Sequence, residues 1–421
     1  MSEKIIPSQR QLDFLNWEFG VFFHFGIRSF YPGHRDWDNR PMPAERFNPT
    51  ELNCEEWIRT IKQAGARYAI LTCKHHDGFA NWPTKYSDYS VANTPWKDGK
   101  GDVVREYVDA CRKYGIRVGL YYSPAQWGGQ TEFKEGREYD DYFINQISEL
   151  LTGYGKIDYL WFDGCGSQDH EYDRDRIVAA IRSMQPEIRI FGMWDPDTRW
   201  VGNEDGYAPM DNFNEVCYTS EHSDGKRRFL PSECDFKMRS TWFDCEDNED
   251  TIKTLEELVG IYEMSVGRGA NFLINIGPDH RGLLPGKDAE RLLEFGEEIR
   301  RRYGQPVEGF SALRETAKDE YSIELDGFCE ERNDHDPARP QLVNRVALRE
   351  DLSAGQSVLE FEVYAHLPAY KGQRVCVYRG RTVGHMALCL FPTVRTAKLT
   401  VRVIGHEGEY RLTEMKAYFV R

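Results

Sequence analysis

The 421-residue sequence has no membrane-length apolar run, no CxxC pair among its ten cysteines and no cluster of basic residues. Its first ten residues, MSEKIIPSQR, lack the apolar core of a secretory signal. Without a long apolar run, no membrane-spanning helix is expected. Scattered cysteines, some of them inside apolar segments, indicate buried free thiols rather than a disulfide framework. These absences predict a soluble, cytoplasmic protein.

The chain is acidic, with 69 Asp and Glu against 54 Lys and Arg and a formal net charge of −15. A negative field repels phosphate backbones, so nucleic acid is not an expected partner. Aromatic residues make up 13% of the chain. Because tryptophan and tyrosine present broad faces with a polar handle, this composition suits a protein that binds sugar rings.

Strand and helix patterns alternate from about residue 17 to residue 303. Helical periodicity is found at residues 54–64, 102–114, 140–151, 173–184, 251–266 and 288–303. Strands that alternate with helices across short turns require a parallel sheet. The sequence therefore predicts an α/β fold, a (β/α)8 TIM-like barrel. Its sixth strand is poorly defined, and we expect it at residues 215–219.

The pattern changes after about residue 305. Four segments, at residues 321–325, 358–364, 374–378 and 397–403, alternate apolar and polar residues between turns. This alternation is typical of antiparallel strands, and it predicts a C-terminal β-sandwich. The expected domains are a catalytic barrel at residues 1–305 and a sandwich at residues 306–421.

The most informative segment is YLWFDG at residues 159–164, where an apolar strand runs directly into Asp163 and a glycine. Three further strand patterns end in polar or aromatic groups, at His24, at the pair His75 and His76, and at Tyr122. In an α/β barrel the carboxyl ends of the strands form the active site. The four strand ends therefore predict one shared pocket, in which Asp163 is the principal catalytic candidate.

The adjacent histidines allow two interpretations. With Asp163 they could form a metal-dependent hydrolase, but neighbouring residues that leave a strand point in different directions. A single ion is bound more readily at HxH or HxxxH spacing. We therefore expect no metal and no cofactor, and we interpret His75, His76 and His24 as partners of substrate hydroxyls.

Glycoside hydrolysis by two carboxyl groups would need a second carboxylate beside Asp163. Candidates lie in the irregular segment between residues 195 and 250, which is typical of active-site loops. They are Glu204, Glu215, Glu221 and Glu233.

Six motifs in collinear order resemble those of the family 29 glycoside hydrolases, the retaining α-L-fucosidases. The motifs are WEFGVFFHFG at 17–26, FNP at 47–49, KHHDGF at 74–79, GLYYS at 119–123, WFDG at 161–164 and SVGRGANFLINIGP at 265–278. Each motif alone is weak, but their joint order is specific, and the likeness covers roughly residues 10–305. The sandwich resembles the domain that follows the barrel in this family.

The resemblance implies that Asp163 is the nucleophile and that His24, His75 and His76 bind fucose. It places Asp36 and Trp37 near the family's pair of an acidic residue and a tryptophan, although aspartate stands where glutamate is common. The remaining pocket residues that we expect on this basis are Tyr122, Trp161, Arg199 and Trp242.

Two segments, RWVGNE at 199–204 and PSECD at 231–235, resemble the branch selective for α-1,3/1,4-linked fucose. In that branch Glu204 would be the acid/base, with Glu233 and then Glu215 as alternatives. The sequence thus predicts a retaining exo-α-L-fucosidase whose partner is a fucosylated oligosaccharide. The alternatives are a fucosidase of broad linkage specificity, a different glycosidase on the same barrel, and a non-catalytic fucose-binding protein.

Overall fold

The computed structural model describes residues 4–33, 40–125, 136–167, 170–218, 224–307, 311–325, 340–370 and 372–421. Its first ten strands are β1 (Phe19–Phe23), β2 (Tyr68–Lys74), β3 (Arg117–Tyr122), β4 (Tyr159–Phe162), β5 (Arg189–Phe191), β6 (Arg199–Trp200), β7 (Glu215–Cys217), β8 (Arg227–Phe229), β9 (Ser232–Lys237) and β10 (Asn271–Asn275). All of them except β7 and β8 belong to one parallel sheet, in the order β5-β4-β3-β2-β1-β10-β9-β6.

The parallel sheet closes on itself between β5 and the residues before β6. Asp197 donates its backbone N–H to the carbonyl of Ile190 at 2.8 Å, and Phe191 forms a parallel bridge with Thr198. Eight parallel strands in a closed ring confirm the predicted TIM-like barrel.

Seven α-helices accompany these strands in the described residues. They are α1 (Gln9–Leu15), α2 (Cys54–Ala64), α3 (Val103–Tyr114), α4 (Gly136–Gly153), α5 (Arg174–Met184), α6 (Leu255–Ser265) and α7 (Gly286–Tyr303). The side chain of Asn53 caps α2 by accepting the N–H of Glu56, and α2 ends at Gly65, which has a φ of 108°. No helix of the described ranges is long and apolar enough to cross a membrane.

The ring of helices is interrupted on one side of the barrel. Helices α2 to α5 follow β1 to β4, and α6 and α7 follow β9 and β10. Strand β5 passes to β6 without a helix, and the hairpin of β7 and β8 is inserted between β6 and β9. That side of the barrel mouth is therefore built from loops and a hairpin.

The predicted position of the sixth barrel strand was wrong. Glu215–Cys217 is a strand, but it pairs antiparallel with β8 outside the barrel, and residue 219 lies outside the described residues. The barrel position is taken by β6, which has two residues and pairs with β9. A two-residue strand is too short for alternation to identify it in a sequence.

Aromatic rings fill the barrel interior. The buried set consists of Phe14, Trp17, Phe22, Tyr68, Ile70, Tyr121, Tyr159, Trp161, Phe191 and Leu273. Phe14 and Trp17 come from α1 and the turn after it, and their ring centroids lie 5.3 Å apart at the N-terminal end of the barrel. The barrel interior is thus a packed core, and a cavity opens at its opposite, C-terminal end.

The predicted β-sandwich is confirmed, with more strands than the sequence indicated. Its strands are β11 (Arg314–Ala317), β12 (Glu320–Glu324), β13 (Gln341–Glu350), β14 (Val358–His366), β15 (Arg374–Gly380), β16 (Ala387–Thr396), β17 (Lys398–His406) and β18 (Leu412–Tyr418). One antiparallel sheet has the order β11-β12-β17-β14-β15 and the other has the order β16-β13-β18.

The cysteines of the described residues are all free, as the sequence predicted. Those at positions 54, 73, 111, 234 and 389 are buried. Cys165 and Cys217 are exposed, and both line the cavity at the barrel mouth. The cysteine residues therefore contribute packing rather than cross-links in this part of the chain.

A half-buried ionic cluster joins the barrel to the sandwich. Glu18, just before β1, accepts a hydrogen bond of 2.8 Å from Arg349 on β13, and His385 lies 3.7 Å away. Burial acts to raise the pKa of Glu18, but hydrogen bonds from His385 and Arg349 outweigh it and lower the pKa to about 2. The cluster therefore stabilises the fold above the usual pKa of glutamate, and this contribution is lost as pH falls through about 2.

Replacing Arg349 by methionine should destabilise the protein, because the half-buried charge of Glu18 would lose the arginine that lies 2.8 Å away. We expect the free energy of unfolding at neutral pH to fall by about 3 kcal/mol, measured by urea denaturation. The control is Arg301→Met, which removes an exposed ion pair with Glu298 and should cost below about 1 kcal/mol. Equal losses in the two variants would contradict the role assigned to the cluster.

Candidate active site

A cavity of about 730 Å³ opens at the C-terminal end of the barrel. Side chains at the ends of β1 to β6 and β9 line it, together with residues of the β7 hairpin. Among the predicted site residues, the lining includes His24, His75, His76, Trp161, Asp163, Arg199, Glu204 and Trp242. Most strand ends singled out in the sequence thus meet in one pocket. Asp36 and Trp37 lie outside the described residues, and their predicted places stay predictions.

Asp163 follows β4 directly, and three groups hold its carboxylate. Tyr121 donates its hydroxyl to Oδ2 at 2.8 Å, the backbone N–H of Cys165 donates to Oδ1 at 2.9 Å, and Nε2 of His76 lies 3.4 Å from Oδ2. Burial acts to raise the pKa of Asp163, but the charge and hydrogen bond of His76, with the other donors, lower it. The carboxylate therefore stays ionised in a largely aromatic pocket, as a nucleophile or base requires.

His24 is held as a neutral imidazole with a defined tautomer. Asn275 donates its amide N–H to the carbonyl of Trp242 at 2.7 Å, so its oxygen faces Nδ1 of His24, also at 2.7 Å. Nδ1 therefore carries the proton, and Nε2 is a hydrogen-bond acceptor. Burial lowers the pKa of His24 to about 3. This ring can accept a hydrogen bond from a sugar hydroxyl at neutral pH.

His75 is a second neutral imidazole in the pocket. Burial lowers its pKa well below the usual value, and the neighbouring His76, Arg28 and His24 act in the same direction. Its Nδ1 is buried and has no hydrogen-bond partner among the described residues. A buried polar atom of this kind is costly unless a ligand or water satisfies it, which favours a hydroxyl-bearing ligand here.

The expectation that His75 and His76 point in different directions was wrong. Their ring centroids are 4.3 Å apart, and both rings line the cavity. Strand alternation has ended at this point, because the chain turns after β2 and Gly78 donates its N–H to the carbonyl of His75. Backbone geometry therefore places both side chains on the same wall.

The same turn brings potential metal ligands together. One ligand atom from each of His75, His76 and Asp163 falls within 4.8 Å of the others. However, the two ring nitrogens of His76 already face Ser123 at 2.6 Å and Asp163 at 3.4 Å. Nε2 of His76 and the carboxylate of Asp163 therefore face each other directly, which accounts for part of this closeness without an ion.

Tyr122 was predicted to lie in the pocket, and this prediction was wrong. Its hydroxyl donates to Gln146 of α4 at 2.6 Å, and the side chain is buried between the barrel and the helices. Tyr121, the preceding residue, faces the pocket and contacts Asp163. Adjacent residues of a strand point to opposite faces, and the pair of tyrosines in the sequence does not show which one faces inward.

Glu233, an alternative acid/base in the sequence, lies beneath the pocket floor. It is 1% exposed and accepts hydrogen bonds from Trp161 Nε1 at 2.9 Å, Tyr68 at 2.5 Å and Tyr159 at 3.1 Å. Burial raises its pKa to about 7, although these hydrogen bonds act against the rise. Trp161 separates Glu233 from the cavity that it lines. Glu233 therefore supports the floor rather than facing a ligand.

Glu215, the third acid/base candidate, is also outside the cavity lining. Its side chain is 1% exposed and is paired with Arg227 at 3.0 Å. This pairing joins the two strands of the inserted hairpin, β7 and β8. Its position argues for a structural role.

Glu204 is the candidate acid/base that faces the cavity. Its side chain is 50% exposed, and its Oε2 lies 2.8 Å from Nζ of Lys237. The same Nζ lies 4.8 Å from the ring centroid of Trp242, which in turn lies 4.8 Å from the ring of His24. Glu204 and Asp163 therefore share one cavity, with Trp242 on its wall and Lys237 in contact with Glu204.

Arg199 contributes to the cavity wall, but its guanidinium group contacts protein atoms rather than the cavity. The guanidinium donates to Oδ1 of Asn212 at 2.7 Å, on the side of β6 where Ser232 also contacts Asn212. The neighbouring Trp200 is 39% exposed and donates its Nε1 to Asp235 at 2.7 Å. Arg199 is thus better placed to hold β6 than to bind a ligand.

Sequence reasoning missed Tyr121, Trp200 and Asp235, which all line the cavity. Burial raises the pKa of Asp235 to about 8, with the charges of Glu233 and Glu204 acting in the same direction. Glu233, Asp235 and Lys237 alternate along β9, so strand periodicity would have indicated Asp235 once this strand was assigned. The sequence contains no comparable signal for Trp200.

Comparison with known proteins identifies the family of this pocket. A family model described as Alpha-L-fucosidase matches residues 31–303. Alpha-L-fucosidase 1 of Arabidopsis thaliana is 37% identical over 308 residues, which cover 69% of this chain and 60% of that protein. A protein of Oryza sativa subsp. japonica is 30% identical over 438 residues, covering 96% of this chain and 83% of its own length.

A solved structure shows the same architecture. A glycoside hydrolase 29 family member from a rumen bacterium matches with a TM-score of 0.87 and 30% identity over 99% of this chain and 78% of that one. A closed barrel with carboxyl groups in its mouth is the arrangement expected of a glycoside hydrolase. The chain belongs to the α-L-fucosidase family.

Replacing Glu233 by glutamine should reduce the pH dependence of stability. The folded protein retains this proton up to a pKa of about 7, whereas the unfolded chain loses it near the usual value. The folded state is therefore favoured below the usual pKa and loses about 3 kcal/mol as pH rises through the folded one. We expect the melting temperature to fall less between pH 5 and pH 8 in Glu233→Gln than in wild type.

The control for this measurement is Glu256→Gln, which changes an exposed glutamate at the start of α6. It should leave the wild-type pH dependence intact. A Glu233→Gln variant that also keeps the full wild-type dependence would contradict the assignment of this proton to Glu233.

Proposed function

We propose that this protein is a retaining exo-α-L-fucosidase that releases terminal α-L-fucose from oligosaccharides, with preference for α-1,3/1,4 linkages. One observation carries the proposal: Asp163 is held ionised by Tyr121, His76 and the N–H of Cys165 in a cavity that Glu204 also lines. Membership in the α-L-fucosidase family supports fucose as the sugar.

The pocket offers complementary surfaces for a deoxy sugar. His24 and His75 are neutral, so each can exchange hydrogen bonds with ring hydroxyls. Phe22, Phe191 and Trp161 form an apolar floor, which suits the methyl group that distinguishes fucose from common hexoses. This combination of polar wall and aromatic floor supports binding of the sugar above Asp163.

In the proposed first step, the carboxylate of Asp163 attacks the anomeric carbon while Glu204 gives its proton to the departing glycosidic oxygen. The anomeric C–O bond to the leaving group breaks and a covalent fucosyl-enzyme forms. In the second step, Glu204 takes a proton from water, which attacks the same carbon and displaces Asp163. Two inversions give net retention, and neither step requires a metal.

The environment of Glu204 supports a role that alternates between acid and base. Its ion pair with Lys237 suits the carboxylate form, which activates water in the second step. In the first step Glu204 carries a proton and has no charge to pair with the ammonium group of Lys237, so that group needs another partner. The ring of Trp242, 4.8 Å from Nζ, provides a cation–π position for it.

The linkage preference is proposed from the segments around β6 and β9. Glu204 follows β6, and Trp200 with the hairpin residues Val216, Cys217 and Tyr218 lines the same cavity. These side chains occupy the interrupted side of the helix ring, where a leaving group would extend from the sugar site. Their presence supports a site in which side chains contact the leaving group and so select among linkages, rather than one in which the leaving group extends into solvent.

We expect the purified protein, in the presence of a chelator, to release fucose from a Lewis-type trisaccharide and not from 2′-fucosyllactose, which carries an α-1,2 linkage. Product analysis by proton NMR should show α-L-fucose before mutarotation, because the mechanism retains configuration. Equal cleavage of the α-1,2 substrate would contradict the linkage preference. Failure to release fucose from either substrate and from 4-nitrophenyl α-L-fucoside would contradict the function.

Azide separates the roles of the two carboxylates. In Glu204→Ala, azide should replace water in the second step and give fucosyl azide of retained configuration from an aryl fucoside. In Asp163→Ala, azide should displace the leaving group directly and give the inverted product, while fucose binding persists. NMR of the anomeric proton distinguishes the products. Glu233→Ala is the comparison, and azide rescue there instead of in Glu204→Ala would move the acid/base assignment.

A further inference from the structure

Ser123 connects two strand ends beside the nucleophile. It follows β3 directly, is fully buried, and donates its backbone N–H to the carbonyl of Lys74 at the end of β2 at 2.9 Å. Its hydroxyl oxygen lies 2.6 Å from Nδ1 of His76 and 2.9 Å from the carbonyl oxygen of Ala125. The hydroxyl is therefore fixed by the backbone on one side and contacts the histidine on the other.

The positions of the protons follow from these contacts. A carbonyl oxygen only accepts, so the single hydroxyl proton of Ser123 goes to Ala125. The serine oxygen must then accept from His76, which places a proton on Nδ1. The other ring nitrogen, Nε2, lies 3.4 Å from Oδ2 of Asp163. The contact between Nε2 and an ionised carboxylate is attractive only if Nε2 carries a proton as well.

We propose that Ser123 is a positioning residue that holds His76 as a doubly protonated cation directed at the nucleophile Asp163. The inference rests on the proposed fucosidase function. It extends that function by dividing the three pocket histidines into neutral and charged ones. His24 and His75 are neutral partners for sugar hydroxyls. His76 is the charged partner of the nucleophile.

Among the described residues, the groups around His76 fit a cation that is paired with Asp163. The ring of His75 lies 4.3 Å away, and Arg28 is paired with Asp77 at 3.0 Å. Tyr121 contacts the same Asp163 oxygen as His76 but is a neutral donor. Asp163 is thus the anion that pairs with His76, and Ser123 fixes the ring for that pairing.

A fixed cation next to Asp163 matters most when the carboxylate leaves the sugar. Negative charge returns to Asp163 during breakdown of the fucosyl-enzyme, and a pre-positioned imidazolium stabilises it. Ser123→Ala removes the acceptor for Nδ1 without adding volume. We expect kcat for 4-nitrophenyl α-L-fucoside to fall about tenfold, the effect of roughly one hydrogen bond, while the dissociation constant for fucose changes less than about twofold.

A double-mutant cycle distinguishes positioning from general damage. If Ser123 acts through His76, Ser123→Ala should cause no further loss in a His76→Ala background. The control is Ser265→Ala, which deletes a buried hydroxyl that donates to the carbonyl of Ile261 at 2.7 Å away from the pocket. That variant should keep the wild-type kcat. Full activity of Ser123→Ala, or an equal loss in both backgrounds, would overturn the inference.

Nitrogen NMR of the wild-type protein with 15N-labelled histidine tests whether His76 is doubly protonated. This measurement stands even if the Ser123→Ala variant folds poorly. The signals of His76, assigned by their absence in His76→Gln, should show two protonated ring nitrogens at neutral pH, and a neutral ring would overturn the inference. Wild-type protein that releases no fucose would instead contradict the proposed function. An active enzyme with a neutral His76 contradicts only the role given to Ser123.

Discussion

An ionised carboxylate in an aromatic pocket is the constraint on which the site depends. Desolvation of Asp163 favours the protonated acid, and only nearby donors and a positive charge keep it ionised. Tyr121, the N–H of Cys165 and His76 provide them, each from a different part of the barrel rim. The same desolvation keeps His24 and His75 neutral, and at His24 it outweighs the opposing charge of Asp163. Desolvation thus disfavours charge throughout the pocket, and the partners of each group decide which side chain stays charged.

Three alternate side chains of strand β9 lie at different heights in the pocket. Glu233 lies below the floor, Asp235 lies in the wall, and Lys237 contacts Glu204. Glu233 is hydrogen-bonded to the underside of Trp161, whose ring stacks on Phe191 at a centroid distance of 4.0 Å. The aromatic floor of the cavity is therefore fixed from beneath by a buried carboxyl group, and the last of the three side chains holds Glu204 on the wall.

Much of the barrel was predictable because its signals are local. Helix α2 ends where Gly65 takes a left-handed conformation, and Asp163 is marked by the strand that precedes it. The wrong predictions arose where a local sequence pattern is compatible with two structures. Two adjacent tyrosines close β3, and only the register of the sheet decides that Tyr121 faces inward. Strand β6 has two residues, and its identity depends on pairing with β9, a contact between segments more than thirty residues apart.

The choice among the carboxyl groups of the cavity region turns on access rather than on proton affinity. Glu233 and Asp235 have raised pKa values, about 7 and about 8, which would suit a general acid at neutral pH. Yet Glu233 lies under Trp161, and Asp235, although it lines the cavity, is engaged by the indole N–H of Trp200. An acid that cannot reach the glycosidic oxygen does not protonate it, whatever its pKa. Glu204 is half exposed on the cavity wall. In the proposed reaction it is therefore the carboxyl group that a departing glycosidic oxygen can reach.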